Sequence, residues 1–211
     1  MGFQETLRER AKDVGLELQQ AVLQQAETYF RLLLQWNRKI NLTSIRKPEE
    51  VITYHFVESF FASLQMTDSP SLWADVGSGA GFPALPIKLL RPRLKLYLIE
   101  PHRKKVHFLK EVVRRLGLSE VWAMPVTLQE FQGCLPPPGR FRYITSRGWG
   151  RLPDLMGFAR QTLEPEGRVV LFLGEKGCQE LARLELGGLT LGGKTPLPTR
   201  DKGFLVEVRR G

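Results

Sequence analysis

Leu72-Trp73-Ala74-Asp75-Val76-Gly77-Ser78-Gly79-Ala80-Gly81-Phe82-Pro83 decides the fold. Five residues of strand character end in an acid, a glycine-rich turn follows, and a helix-like run begins at Phe82. A strand that feeds a glycine turn and then a helix is a nucleotide-cofactor loop, because glycines let the backbone turn sharply and approach a ligand closely. The dinucleotide fingerprint Gly-x-Gly-x-x-Gly, counted from Gly77, requires a third glycine at 82, where Phe82 stands. The spacing is Asp-x-Gly-x-Gly-x-Gly instead.

Working outward, short apolar runs alternate with helix-like stretches. Leu72 to Val76, Leu94 to Ile99, Glu120 to Met124, Phe141 to Thr145 and Arg168 to Leu173 read as strands, and Phe82 to Leu90, Arg103 to Leu116 and Pro153 to Leu163 as helices. Such alternation predicts a parallel sheet covered on both faces. Gly187 to Lys194 and Gly203 to Arg210 read as an antiparallel closing hairpin. Upstream, Leu23, Ala26, Phe30 and Leu34 step by one helical face within a helix from about Leu16 to Arg38, and Pro48-Glu49-Glu50 opens a second helix reaching about Leu64. The predicted organisation is a helical N-terminal extension over residues 1–68 and an α/β, Rossmann-like domain over 69–211, mostly parallel with an antiparallel closing strand.

Composition bounds the chemistry. The 211 residues carry 31 Lys and Arg against 22 Asp and Glu, a net charge of +9, which favours phosphate-bearing partners. Two cysteines, Cys134 and Cys178, exclude a disulfide framework and a multi-cysteine zinc site, and His55, His102 and His107 give no metal spacing with them. No metal, no membrane span and no secretory leader are expected, and a reducing cytoplasm is the default compartment. The stretch Gly188 to Thr195 formally matches the P-loop pattern, but Pro196 and Pro198 follow where a P-loop needs a helix, so it reads as strand and turn. Cations gather in three places: Arg38, Lys39, Arg46 and Lys47; Arg103, Lys104, Lys105, Lys110, Arg114 and Arg115 against Glu111 alone; and Arg140, Arg142, Arg147 and Arg151, with Trp149 placed either to stack a base or to pack in the core.

The glycine loop resembles motif I of class I methyltransferases, which bind S-adenosylmethionine, a cofactor with a sulfonium and an amino-acid tail and no phosphate. Asp75 is placed to help hold the cationic end, and Glu100, at the end of the next strand, to accept the ribose hydroxyls. Further segments resemble the small-subunit ribosomal RNA methyltransferase G family, also called the glucose-inhibited division protein B family. They are Trp36-Asn37-Arg38-Lys39-Ile40-Asn41-Leu42-Thr43, His55-Phe56-Val57-Glu58-Ser59, Asp75 to Pro83, Lys104-Lys105 with Phe108-Leu109, and Ser146-Arg147.

That resemblance implies methyl transfer from S-adenosyl-L-methionine to N7 of a guanine in 16S ribosomal RNA of the small ribosomal subunit. It implies cofactor contacts at Gly77, Gly79, Gly81 and Phe82 in the loop, at Glu100, Pro101 and His102 beside the ribose, at Leu128 and Gln129 beside the adenine, and at Arg147. Arg147, His55 and Ser59 are the candidates for the reacting centre, the latter two lying one turn apart on a helix. The chain departs from the family pattern at Gln129, usually an acid; at Glu58, usually Asp; at Gly148-Trp149-Gly150, usually small apolar residues; at Leu173, usually Lys; and in a longer Cys134 to Gly139 loop. Two other readings stand beside this one: a methyltransferase with another RNA, protein or small-molecule acceptor, and a non-catalytic RNA-binding assembly factor. Oligomeric state is left open.

Overall fold

The computed structural model describes residues 2–134 and 140–211. Among the described residues, seven strands form one sheet in the order β3-β2-β1-β4-β5-β7-β6. They are β1 (Leu72–Val76), β2 (Lys95–Ile99), β3 (Val121–Met124), β4 (Phe141–Arg147), β5 (Leu163–Gly174), β6 (Leu189–Pro196) and β7 (Gly203–Arg210). Strands β1 to β5 pair in parallel, and β7 inserts antiparallel between β5 and β6. The order reverses between β1 and β4, so a crevice opens there beyond the carboxyl ends of the strands.

Alternation along each strand divides the core in two. Trp73, Leu96, Leu98, Tyr143 and Val170 face one side; Ala74, Val76, Ile99, Ile144 and Val169 face the other. The first side is covered by α1 (Phe3–Asp13), α2 (Gln20–Asn37), α5 (Ala84–Leu90) and α6 (Arg103–Leu116), the second by α7 (Leu128–Cys134), α8 (Leu152–Thr162) and α9 (Glu175–Arg183). The helices ahead of β1 thus share a core with the sheet: Leu23, Ala26, Tyr29 and Leu33 of α2 are fully buried in it. Helix α6 buries Val106, Leu109, Val112 and Leu116 at helical spacing and stops at Gly117, whose left-handed φ of 64° suits a residue without Cβ.

Four differences from the sequence expectations have physical causes. Helix α1 was not expected; of its eleven residues only Leu7 and Ala11 are buried, too few to print a period on a polar segment. The stretch from 48 to 65 is not one α-helix but α3 (Pro48–Val51), a π-helical segment (Ile52–Val57), α4 (Glu58–Ala62) and a 3-10 turn (Ser63–Gln65). Helices α7 and α9 are short, at seven and nine residues, and were likewise not expected. Strand β5 starts at Leu163, the expected end of the preceding helix, and not at Arg168. The apparent P-loop is β6, an edge strand with no helix after it. The expected longer loop at 134–139 falls, from residue 135 on, outside the described residues.

Candidate functional site

The glycine loop turns over the carboxyl end of β1. Gly77, Gly79 and Gly81 all have left-handed φ, at 72°, 54° and 87°. The N–H groups of Gly77 and Ser78 donate to the Ile99 carbonyl, and that of Gly79 donates to Glu100 Oε2 at 2.9 Å, so the loop is fastened to the end of β2. Glu100 is 3% exposed, and its Oε1 also accepts from the backbone N–H and the Nδ1 of His102. Tyr29 reaches from α2 to donate to the Ala80 carbonyl, and its ring stacks on Phe82 with centroids 5.0 Å apart; Phe82 stacks in turn on His55 at 4.4 Å. A column of three rings therefore ties the N-terminal helices to the loop. Burial, then the nearby charge of Asp75, raises the Tyr29 phenol well above its usual range and keeps it a donor.

A cleft of about 380 Å³ opens over this loop. Gly77, Ser78, Gly79, Ala80 and Phe82 form its floor; Glu100 and Lys105 stand on the β2 side, Arg147, Gly148 and Arg200 on the β4 side, and Leu42 to Ile45 with His55 close it from the N-terminal segment. Asn37 shapes that segment by accepting from the N–H groups of Leu42 and Thr43 and donating to the Thr43 carbonyl. A second cleft of about 230 Å³ adjoins the first and shares Arg147, Gly148 and Arg200 with it; Phe172, Leu173, Leu197 and Lys202 line the rest.

Between the two clefts lies an ion cluster built on a buried carboxylate. Glu58 on α4 is fully buried and accepts from Arg147 Nη2 at 2.8 Å, from Arg200 through both its oxygens, and from the Thr199 hydroxyl. Burial outweighs the attraction of Glu58 and lowers Arg147 to about 10, so it remains a cation at neutral pH, and its Nη1 is buried without a partner. Arg200 lies over the Tyr54 ring at 4.5 Å and Arg147 over Phe172 at 5.1 Å. Arg200 and Lys202 carry no signal in the sequence because the turn after β6 has no motif; only the fold brings them to the cleft.

The other candidates divide. His55 lines the cleft; its Nε2 lies 2.9 Å from Thr43 Oγ1, and its Nδ1 is buried and unpartnered. Burial, with Arg147 and Arg200 adding to it, lowers His55 to about 3, so the ring is neutral at physiological pH. Ser59 does not reach the cleft: it is fully buried and its hydroxyl donates to the His55 carbonyl one turn earlier. Asp75 lies beneath the loop rather than in the cleft. Its Oδ1 accepts from Thr145, whose hydroxyl accepts from the Trp73 indole, and its Oδ2 is buried without a partner. Burial raises Asp75 to about 6, against the hydrogen bonding that lowers it and with the charge of Glu100 adding to the rise. Gly81 faces inward, where a Cβ would meet Leu85, Tyr29 and Leu109. Pro101 and His102 are exposed beside Glu100; Leu128 is buried at the start of α7 and exposed Gln129 donates to Asp154 at 3.3 Å, both beyond the cleft wall.

These residues suit a nucleoside with an amino-acid tail. The turn presents backbone instead of side chains, and Glu100 offers a carboxylate and Arg147 a cation on opposite sides of the cleft, whereas the orphaned Asp75 Oδ2 lies outside the cleft lining. Of the basic clusters, Arg114 and Arg115 are paired with Glu111, Arg142 with Glu166, Arg151 with Asp154 and Lys47 with Glu50, whereas Arg103, Lys104 and Lys110 are exposed on α6 with no ion pair among the described residues. No helix among the described residues is long and apolar enough to cross a membrane, and no cluster of three metal-ligating side chains is found among them.

Comparison with known proteins gives the same direction. The sequence model of the family described as rRNA small subunit methyltransferase G (GidB) matches residues 22–193. The chain is 33% identical over 177 residues to the ribosomal RNA small subunit methyltransferase G of a Geobacter species, covering 84% of this chain and 80% of that one. It is 35% identical over 206 residues to the protein of the same name from Lactococcus lactis, covering 94% and 87%. Among solved structures, an S-adenosylmethionine-dependent methyltransferase from Aquifex aeolicus superposes with a TM-score of 0.61 at 17% identity over 77% of this chain and 93% of that one. A putative methyltransferase from Streptococcus mutans in complex with S-adenosylhomocysteine gives 0.53 at 17% identity over 79% and 99%. At such identities the superpositions bear on the fold alone, which is that of Rossmann-like methyltransferases.

Proposed function

The chain belongs to the rRNA small subunit methyltransferase G family, and from that membership, together with the cleft, we infer how it works. It is an S-adenosylmethionine-dependent methyltransferase that methylates N7 of a guanine in 16S ribosomal RNA. The observation that carries the reading to the level of residues is the glycine loop held open over one cleft, with Glu100 and Arg147 on opposite sides.

Guanine N7 has a lone pair and no proton, so no general base is needed. S-adenosylmethionine, when bound, supplies a methyl group on a sulfonium whose departure leaves a neutral thioether. The work left to the chain is positioning, which contributes up to ~7–11 kcal/mol in favourable cases. Glu100, whose Oε1 lies beside the exposed His102 ring, would accept the ribose hydroxyls. Arg147 and Arg200 hold anionic groups at the junction of the clefts. The guanine ring gains positive charge as the bond forms, and a bare arginine beside it would oppose the reaction. Glu58 offsets that charge on both arginines. His55 stays neutral and takes no proton; with Phe82 it forms a flat wall.

The second cleft, with Leu173 and Phe172 for a base and Lys202 for a phosphate, is the way in for the RNA. N7 is recessed in paired A-form RNA, so the acceptor guanine is unpaired or flipped out. We place the reaction in the cytoplasm, where the small ribosomal subunit and its RNA are made, and treat residues 1–68 as the extension that shapes the cleft of a methyltransferase domain over 69–211. The test has two parts. Calorimetry with S-adenosylmethionine should show binding; its absence would leave only a non-catalytic RNA-binding role. Mapping N7-methylguanine in 16S RNA from cells lacking the gene should show one site lost; persistence of every such site would move the acceptor elsewhere.

A further inference from the structure

One large side chain at the site has no part in this account. Trp149 follows β4 between Gly148 and Gly150, and its indole N–H donates to the Arg151 carbonyl at 3.0 Å, which folds the ring back toward the glycine loop. There it lies on Gly77: a Cβ at that position would stand 2.7 Å from Trp149 Cε3 and 3.3 Å from Cζ3. Gly77 in turn donates its N–H to Ile99, the residue before Glu100. The indole also packs against the second core, and a polar chain leads from Arg151 to the start of α7. Arg151 pairs with Asp154 at 2.8 Å, and Asp154 accepts from Gln129 at 3.3 Å. The ring is half-buried, so it keeps surface free for a ligand.

These contacts place Trp149 against Gly77 of the cleft floor, packed with the second core that Ile99 and Leu128 also join. It lines neither the second cleft nor the first, and meets the first only through Gly77. A nucleoside whose ribose meets Glu100 and whose tail runs to Arg147 must send its base away from Arg147, past the Gly77 turn. We propose that the Trp149 indole is the stacking wall for the adenine of the cofactor, and that it rests on bare Gly77 until the base arrives. The proposal rests on reading the cleft as an S-adenosylmethionine site. An aromatic face is sequence-tolerant toward bases, and losing one costs on the order of a tenfold or greater loss in affinity.

The test compares the wild type with Trp149→Phe and Trp149→Ala, using two probes: S-adenosylhomocysteine and 5′-methylthioadenosine, which keeps the adenosine and lacks the amino-acid tail. Trp149→Ala should raise the Kd for both about tenfold, Trp149→Phe should retain binding within about threefold, and the KM for RNA at saturating cofactor should not move. Should Trp149→Ala fail to fold, the difference in fluorescence between wild type and Trp149→Phe isolates this indole among the four tryptophans; methylthioadenosine should quench it. Unchanged Kd for both probes, or no quenching from Trp149, overturns the proposal. Unchanged cofactor affinity with a raised KM for RNA overturns it too, and hands the indole to the acceptor base. A wild type that binds neither probe would sink the cofactor reading itself, a result distinct from a variant that binds as well as the wild type.

Discussion

Glu58 and Arg147 meet at 2.8 Å across 89 residues of chain, with the carboxylate fully buried and the guanidinium side chain 15% exposed. The pair joins the helical N-terminal part to the end of β4, and Arg200 adds the turn after β6. The same carboxylate therefore fixes two side chains that line both clefts.

Replacing Glu58 by Gln keeps the shape and removes the buried charge between the largely buried Arg147 and the more exposed Arg200. Breaking a buried ion pair from one side costs about 3–5 kcal/mol, because the remaining charge is left uncompensated. Glu58→Gln should lower the unfolding free energy by that order and reduce methyl transfer even where the protein is folded. Arg147→Met should cost less stability, since Glu58 keeps Arg200 and Thr199, and more activity. Denaturant melts paired with methyl-transfer assays check the ordering; equal stability loss in both would contradict the shared-carboxylate picture.

Tyr29→Phe removes one hydroxyl from the ring column. The Ala80 carbonyl loses its buried donor, which costs about 1–3 kcal/mol. The stack with Phe82 survives in this variant, so the loop keeps its place and loses its fastening. The expected readout is a several-fold rise in the Kd for S-adenosylhomocysteine with an unchanged KM for RNA, measured by calorimetry and steady-state kinetics.

His55 and Asp75 bias stability with pH in opposite senses. His55 has a folded value near 3, below its ordinary 6.5, so the unfolded chain takes up the proton first. Its contribution is fully present above about pH 6.5 and declines as pH falls from 6.5 toward 3. Asp75 has a folded value near 6, above its ordinary 3.8, so here the folded state holds the proton longer and stability falls as pH rises from 3.8 through 6. Urea unfolding between pH 4 and 8 should show a shallower acid loss for His55→Gln than for the wild type, and a steeper one for Asp75→Asn. Parallel profiles in all three proteins would mean that neither group is buried as described.

RNA affinity should fall with salt while cofactor affinity does not, because only the RNA brings phosphates. For single-stranded RNA, the plot of log K against log salt becomes shallower by about 0.7 for each phosphate that the protein no longer neutralises. Lys104 and Lys110, exposed on α6 and without ion pairs among the described residues, are the residues to neutralise. The double Gln variant should shallow the slope by about 1.4 and leave the Kd for S-adenosylhomocysteine unchanged. Arg114→Gln, which removes a partner of Glu111, should change the slope less.

Much of this architecture was legible because it is local. The strand ending at Asp75, the glycines after it and the acid at Glu100 lie within 29 residues and carry a pattern with one physical meaning. Helix α6 showed its period because four apolar residues repeat on it. What escaped depends on distance along the chain. Glu58 reads as a helix acid, and Arg200 carries no motif, until the fold brings together two residues 142 positions apart. Ser59 and Gly81 match motif positions, yet the fold turns both into the core, where a small hydroxyl satisfies a helix carbonyl and a missing Cβ admits Leu85 and Tyr29.

Gly77 tests the packing of the loop most directly. A Cβ there is opposed twice, by the left-handed φ of 72° and by Trp149 Cε3 at 2.7 Å. The first penalty, about 1–2 kcal/mol, belongs to the backbone and persists whatever stands nearby. The second belongs to the indole and vanishes when the indole is removed. Gly77→Ala should therefore destabilise the wild type by both and the Trp149→Ala protein by the first alone, so that the double variant is more stable than the sum of the single effects by about 0.5–3 kcal/mol. Gly77→Asp, which also places a charge at the cofactor approach, should abolish binding of S-adenosylhomocysteine in either background. A double-mutant cycle on unfolding free energies measures the coupling. Strict additivity would mean that the indole does not lie on Gly77, and the stacking wall would lose its geometric basis.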